Sequence, residues 1–190
     1  AAKLNVPRIG VRFRLPASMN QVEYFGRGPA ENYLDRNAGS MVGLYKSTAE
    51  ELYFPYVRPQ ENGHHTDTRW VSLSTGKKGL LIQADNTIGF NALRNSIEDF
   101  DDEEATGLSR QWSNFTPEQV ANHDEAAAKN VLRRQHHIND ITPRDFVEVC
   151  VDLKQQGVAG YDSWGSRPEP AYTLPANREY NWGFTLIPLK

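Results

Sequence analysis

Four of the five histidines form two adjacent pairs, a pattern that raises the question of metal chemistry. Imidazole and carboxylate groups together are common zinc ligands. Adjacent residues on a strand point to opposite faces, however, so such a pair rarely gives two ligands to one ion. With one cysteine and no two histidines four residues apart, the sequence favours structural roles and predicts no metal or cofactor in this chain. The residues concerned are His64, His65, His136 and His137, with Asp67 or His123 as a further ligand.

Carboxylates are the second group that could do chemistry. The chain has 24 acidic residues, and glycoside hydrolysis needs only two at the correct separation. The acidic run from Asp99 to Glu104 resembles a calcium loop only in charge, because Glu104 stands where that loop requires glycine. No nucleophile elbow, phosphate-binding loop or dinucleotide fingerprint is present. Local motifs alone therefore do not identify a reaction.

A tryptophan in a turn-rich segment is the third candidate. The stretch AGYDSWGSRPEP, residues 159–170, surrounds Trp164 with Asp, Ser, Gly and Pro, which all favour turns. Loops run over the protein surface, so Trp164 is not expected to reach a core. An indole offers a flat apolar face and one N–H donor. The residues leave two interpretations open, a stacking platform for a ligand or a lid folded back on the sheet.

Alternating apolar residues indicate that β-strands carry these loops. Residues 9–15 alternate apolar side chains with arginines, the period of a half-buried strand. Residues 145–155 are apolar on both faces, which indicates a central strand with Cys150 as a small buried side chain. Further strands are predicted at 21–26, 70–73, 79–85, 88–94 and 179–189, with an extended edge segment at 52–60.

One region has helical signals. Thr116 is a candidate N-cap followed by Pro117 and Gln119, which matches a capping box, and the Ala-rich residues 125–132 predict a second short helix. Strands joined by turns outnumber these helices. The predicted fold class is therefore an all-β sandwich, with residues 1–190 as a single domain.

Composition narrows the possible partners. A net charge of −3 and a hydrophobic content of 38% are typical of a globular chain. Without a basic cluster or a long apolar run, neither a nucleic-acid nor a membrane partner is expected. We expect a soluble protein of the cytoplasm or periplasm, between which the sequence does not distinguish. A strand pattern that starts soon after Pro7, without an initiator methionine, predicts a piece of a longer protein.

Three stretches, in this order and spacing, resemble the C-terminal domain of the family 2 β-galactosidases. They are YFGRGPAENYLDR (24–36), PYVRPQENGHHTDTRW (55–70) and GVAGYDSWG (157–165). The similarity extends over essentially the whole chain. Residues 115–144 are longer than is usual in the family, and residues 167–170 form a proline-rich variant of the loop after the tryptophan.

The resemblance implies a galactose-mutarotase-like antiparallel β-sandwich that lacks its N-terminal part. In this family the catalytic glutamates and the magnesium and sodium sites lie in a central (β/α)8 barrel, which needs about 250 residues of alternating strand and helix. That pattern is absent here. The implied function is therefore a non-catalytic domain of a retaining β-galactosidase that hydrolyses terminal β-galactosides such as lactose. Its expected partners are the sugar and the remaining domains of the enzyme.

The resemblance also assigns site residues. Trp164 matches the tryptophan that this family's C-terminal domain contributes to the sugar-binding subsites, and the adjoining Asp162 and Ser163 are expected to be substrate-binding residues with it. Charged residues of the other two motifs are expected to fix long loops through charge-assisted hydrogen bonds. They are Arg27, Glu31, Asp35, Arg36, Arg58 and Glu61.

Two other functions stay open at this point. One is an autonomous carbohydrate-binding module. The other is a mutarotase-type epimerase with a histidine acid and a carboxylate base, for which His64, His65 and His136 are candidates. A strand at 9–15 without upstream neighbours would leave a sheet edge open, so self-association is also expected.

Overall fold

The computed structural model describes residues 4–57, 60–100, 138–162 and 164–190. The chain divides into two compact units. The first consists of Ala1–Phe54, Asn62–Arg94 and Arg144–Lys190, and the second of Pro55–Glu61 and Asn95–Pro143. Every strand of the described residues belongs to the first unit. The described part of the second unit contains two single-turn 3-10 helices, Ile97–Asp99 and Ile138–Asp140. The single-domain interpretation stays a prediction.

The strands of the described residues form one antiparallel sheet of seven. Their order across the sheet is β1-β6-β5-β4-β2-β3, and β7 pairs with β5. This confirms the all-β class and is consistent with a β-sandwich. The strands are β1 (Arg8–Pro16), β2 (Gln21–Gly28), β3 (Met41–Thr48), β4 (His65–Ser74), β5 (Gly79–Leu93), β6 (Phe146–Gln155) and β7 (Phe184–Leu189).

Strand β5 connects two parts of the sheet. The sequence predicts two short strands around Asn86, whereas the structure has a single strand of 15 residues. The first half of β5 pairs with β7 and its second half with β6. Its register against β4 shifts on either side of Thr68. One long strand therefore serves two different neighbours on the same side.

The core lies on one face of this sheet, where cross-strand partners are apolar and buried. Tyr24 pairs with Val71, and Phe90 pairs with Val151. The Tyr24 ring also meets the rings of Phe90 and His65 edge to face, with centroids 5.1 and 4.9 Å apart. Central strand β6 is buried on both faces, as predicted, and Cys150 is buried in it.

The edges of the sheet show where the sequence interpretation needs correction. The period of β1 is confirmed, but its apolar face is incompletely covered, because Val11 is 43% exposed. No strand is present in the described residues of the predicted segment 52–60, and the last strand begins at Phe184 rather than at residue 179. The helices predicted at 116–132 lie outside the described residues. Among the described residues no helix is long and apolar enough to cross a membrane.

Candidate functional site

The loop of residues 158–166 carries Trp164 into solvent. Its side chain is 93% exposed, so the lid interpretation does not describe this structure. Asp162 Oδ1 accepts hydrogen bonds from the backbone N–H groups of Trp164 at 2.8 Å and Ser166 at 3.3 Å. Ser166 Oγ accepts one from the backbone N–H of Tyr161 at 3.1 Å. These bonds close the turn around the tryptophan, and this is the turn chemistry that Asp and Ser supply.

The base of the loop is held by Asp35. Its Oδ1 accepts a hydrogen bond from the backbone N–H of Val158 at 3.1 Å, and its Oδ2 accepts one from that of Ala159 at 2.8 Å. The Tyr161 hydroxyl donates to Oδ2 at 3.3 Å. Hydrogen bonds to an ionised carboxylate are stronger than neutral ones. The motif residue Asp35 and the tryptophan loop are thus brought together by the fold.

The backbone at this point is unusual. Ala159 has a φ of 55°, and Gly160 follows with a φ of 81°. Left-handed conformations are common for glycine but uncommon for alanine, and they persist where the surroundings fix them. The Ala159 N–H is one of the two amides that Asp35 binds. The carboxylate therefore stabilises the loop where its backbone is least favourable.

The second carboxylate of the same motif, Glu31, contacts a different segment. Glu31 Oε2 accepts hydrogen bonds from the backbone N–H of Gly63 at 2.6 Å and from the Tyr33 hydroxyl at 3.3 Å. The guanidinium carbon of Arg36 lies 5.2 Å from the centre of the Tyr33 ring. Its Nη2 lies 4.0 Å from Glu31 Oε1. Glu31 thus fixes the motif against the segment that contains His64 and His65, whereas the contacts of Arg36 with Glu31 and Tyr33 lie within the motif.

Arg27 and Asn32 complete the loop framework. Arg27 Nε lies 2.5 Å from Asp67 Oδ2, and its Nη1 donates to the carbonyl of Ser40 at 2.8 Å. The buried Asn32 accepts hydrogen bonds from both the backbone N–H and the hydroxyl of Thr66, at 3.0 and 2.6 Å. The structural role predicted for Arg27 fits these contacts. Sequence reasoning missed Asn32, although its place between two recognised motif residues was a usable signal.

His64 is buried in a polar cluster. Its Nδ1 lies 2.8 Å from Asn91 Oδ1, and its ring stacks on Tyr33 with centroids 5.6 Å apart. Burial lowers the pKa of His64 to about 3, and the Arg8 guanidinium acts in the same direction. The imidazole is therefore neutral. Its 3.9 Å separation from Asp152 Oδ2 is consequently neither an ion pair nor a hydrogen bond.

His65 is also buried. Its ring nitrogens face the carbonyl oxygens of Gly63 at 3.1 Å and Pro29 at 3.3 Å. Burial lowers the pKa of His65 as well. Side chains that are almost completely buried and have a lowered pKa are unsuited to proton transfer with a sugar, which argues against a mutarotase that uses His64 or His65.

The same cluster contains an arginine that the sequence did not single out. Arg8 Nη2 donates to Asn91 Oδ1 at 3.1 Å and to Gln155 Oε1 at 2.7 Å, while Nε lies 3.1 Å from Asp152 Oδ2. The Asn91 amide donates to the carbonyl of Asn62 at 2.7 Å. These hydrogen bonds pair the Arg8 Nη2 group and both ends of the Asn91 amide on the second face of β5 and β6, and Arg8 and Asp152 are oppositely charged neighbours there.

The remaining candidates are placed as follows. Glu61 is half-buried and belongs to the second compact unit. Arg58, Ser163, His136 and His137 lie outside the described residues. Within the described ranges no group of three or more His, Cys, Asp or Glu side chains could hold a metal ion.

Comparison with known proteins gives a consistent family. The sequence profile of the beta galactosidase small chain matches residues 1–186. A beta-galactosidase of Priestia megaterium is 35% identical over 185 residues, which cover 97% of this chain and 15% of that protein. A beta-galactosidase of Vibrio cholerae is 29% identical over 181 residues, or 95% of this chain and 14% of the relative. The chain thus spans about 15% of the length of the curated relatives that it matches. It belongs to the β-galactosidase small-chain family.

Proposed function

We propose that this chain is the non-catalytic C-terminal part of a retaining β-galactosidase and that Trp164 supplies a stacking surface to its sugar-binding site. The observation that carries the proposal is the 93% exposure of an indole on a loop closed by hydrogen bonds. At this exposure the indole is not stabilised by packing against the core of this chain. Its exposure is explained if the sugar and the remaining domains of the enzyme cover it in the full-length protein.

The energetics of one indole face suit this role. Stacking a pyranose on the ring removes about 80 Å² of apolar surface from water, which at about 25 cal/mol per Å² is worth about 2 kcal/mol. That corresponds to roughly 30-fold in affinity. The indole N–H stays available as a donor at the edge of the ring. One such surface strengthens and orients binding without performing the reaction.

The remaining parts of the enzyme are assigned to domains outside this chain. The two catalytic glutamates and the magnesium and sodium ions belong, in this proposal, to a central barrel. Terminal β-galactosides such as lactose are the proposed substrates. Asp162 acts by closing the turn that carries Trp164, because its carboxylate accepts two backbone N–H groups.

The test is Trp164→Ala in the full-length enzyme. We expect kcat/KM for lactose to fall at least about tenfold, because the lost stacking exceeds about 1.4 kcal/mol. Trp164→Phe should retain part of the activity, since a smaller aromatic face remains. Phe54→Ala is the matched control, an aromatic side chain outside the loop that is 47% exposed. Unchanged kinetics in Trp164→Ala would contradict the proposal.

A further inference from the structure

We propose that Asp35 is a positioning residue for Trp164 and so determines how firmly the sugar is held. This inference rests on the proposed function of Trp164. Asp35 lies in the middle of the loop that joins β2 to β3, and it is 123 to 126 residues away in sequence from the three groups that it binds. Both of its carboxylate oxygens accept hydrogen bonds from the tryptophan loop. Its side chain is thus committed to that loop.

The loop has few other connections to the sheet. Among the described residues of 158–166, every hydrogen bond that leaves the segment goes to Asp35. The other bonds of the segment are internal, from Asp162 Oδ1 and Ser166 Oγ. In the described part of the loop the turn is therefore closed by its own hydrogen bonds, and its hydrogen bonds to the rest of the chain all go to the Asp35 carboxylate.

Trp164 has no packing of its own to fix its direction. At 93% exposure, its orientation follows from the backbone that carries it. Ala159 in the left-handed region is the point where this backbone would relax first if its hydrogen bond were lost. A loop so released would have to be ordered again each time a sugar binds, and that ordering reduces affinity.

The kinetic test is a double-mutant cycle in the full-length enzyme. We expect Asp35→Ala to lower kcat/KM about three- to tenfold, less than Trp164→Ala, because the indole remains but is less well oriented. In the Trp164→Ala background Asp35→Ala should have almost no further effect, since it acts only through the tryptophan. Additive losses would overturn the inference and indicate a general structural role.

Two variants make the comparison specific. Asp35→Asn keeps one oxygen acceptor, but its NH2 group faces a backbone N–H that is also a donor, so one hydrogen bond is lost. The decrease in kcat/KM should therefore approach that of Asp35→Ala. Tyr161→Phe removes only the phenol hydrogen bond and should cost less than either. Asp145→Ala, an exposed carboxylate before β6, is the control and should leave kcat/KM within about twofold. Equal losses in Asp145→Ala and Asp35→Ala would overturn the inference.

Hydrogen exchange gives a readout that does not depend on activity. In full-length Asp35→Ala, the Val158 and Ala159 amides should exchange faster while those of β6 keep their protection. Faster exchange throughout β6 would indicate global destabilisation and overturn the inference, as would unchanged exchange at both loop amides. Trp164→Ala kinetics alone decide the proposed function. If they fall while Asp35→Ala changes neither kinetics nor exchange, only the present inference fails.

Discussion

In the loop of residues 158–166, polar contacts hold an apolar side chain in solvent, whereas around His64 they hold polar side chains away from it. The first arrangement leaves Trp164 exposed, and the second buries His64, Asn91 and Asp152 almost completely. Both depend on the same short motif. Glu31 binds the histidine segment through Gly63, and Asp35 binds the tryptophan loop.

The buried cluster around His64 stabilises the fold, whereas the loop of residues 158–166 exposes a side chain that another molecule or domain can contact. Buried polar groups are costly unless they are hydrogen-bonded, so the cluster around His64 is sensitive to any single change. An exposed indole on a loop adds little to the free energy of unfolding and can change with small cost to the core. We therefore expect substitutions in the cluster to lower the free energy of unfolding strongly, and substitution of Trp164 to change it little.

The largest expected effect is the complete lack of turnover by the 190-residue chain alone. If the loop is one wall of a site that other domains complete, the isolated chain hydrolyses no β-galactoside. One aromatic surface without converging polar groups should also bind lactose only in the millimolar range or more weakly. A chromogenic galactoside assay and calorimetric titration measure both. Sustained turnover that is abolished by replacing an acidic residue of this chain would contradict the comparison.

The next largest effect concerns the buried cluster. His64→Ala should lower the free energy of unfolding by about 3 kcal/mol, because it removes the contact with Asn91 and the stacking on Tyr33 and leaves a cavity. Chemical denaturation of the isolated chain measures this. A loss below about 1 kcal/mol would show that the cluster is not a principal source of stability.

Acid should weaken the same cluster. The pKa of His64 is lowered from 6.5 to about 3 in the folded chain. As the pH falls below 6.5 the unfolded chain binds a proton that the folded chain does not, so the free energy of unfolding decreases, by about 2 kcal/mol at pH 5 from this group. The lowered pKa of His65 acts in the same direction. Because His64→Gln lacks this titrating group, the difference in free energy of unfolding between it and the wild type should become smaller in acid. Parallel pH profiles of the two proteins would contradict this.

A smaller effect is expected for the exposed region. Trp164→Ala should change the free energy of unfolding of the isolated chain by less than about 0.5 kcal/mol, because its side chain has almost no contacts to lose. Thermal unfolding of both variants under the same conditions tests this directly. Early melting of Trp164→Ala, with full-length kinetics unchanged, would make Trp164 a packing residue and reverse the comparison.

The smallest effect concerns the edge of the sheet. Among the described strands β1 pairs only with β6, and Val11 on its apolar face is 43% exposed, so weak self-association of the isolated chain is expected. Sedimentation velocity at increasing concentration measures it, and Val11→Lys should reduce it. A monomer at all concentrations would contradict this prediction.

The strands were predictable where the alternation was strong. The alternating pattern of residues 9–15 predicts β1, and the apolar run at 145–155 predicts β6. Strand β3 was missed because Gly43 and Ser47 lie on the same face as Tyr45 and interrupt the alternation of apolar residues there. The division of β5 into two was wrong because turn-forming Asp85 and Asn86 lie inside one strand, where its register against β4 shifts and its other neighbour changes from β7 to β6.

The candidate site was only half predictable. Asp, Ser, Gly and Pro around Trp164 indicate a surface loop, and the structure has the indole in solvent. That Asp35 binds this loop could not be predicted, because the contact spans more than 120 residues and exists only in the folded chain. The cluster of Arg8, His64 and Asn91 was missed for a related reason. A strand period assigns side chains to a face but does not say what covers that face.

Gly157 lies directly against the carboxylate that holds the tryptophan loop. A β-carbon at this position would lie 2.5 Å from Asp35 Oδ2, closer than real side chains approach. Substitution of Gly157 therefore displaces Asp35, and loss of Asp35 removes the reason for glycine at 157. Across the homologues of this chain the two positions should vary together, so that lineages which replace the aspartate are the ones in which a side chain appears at the glycine.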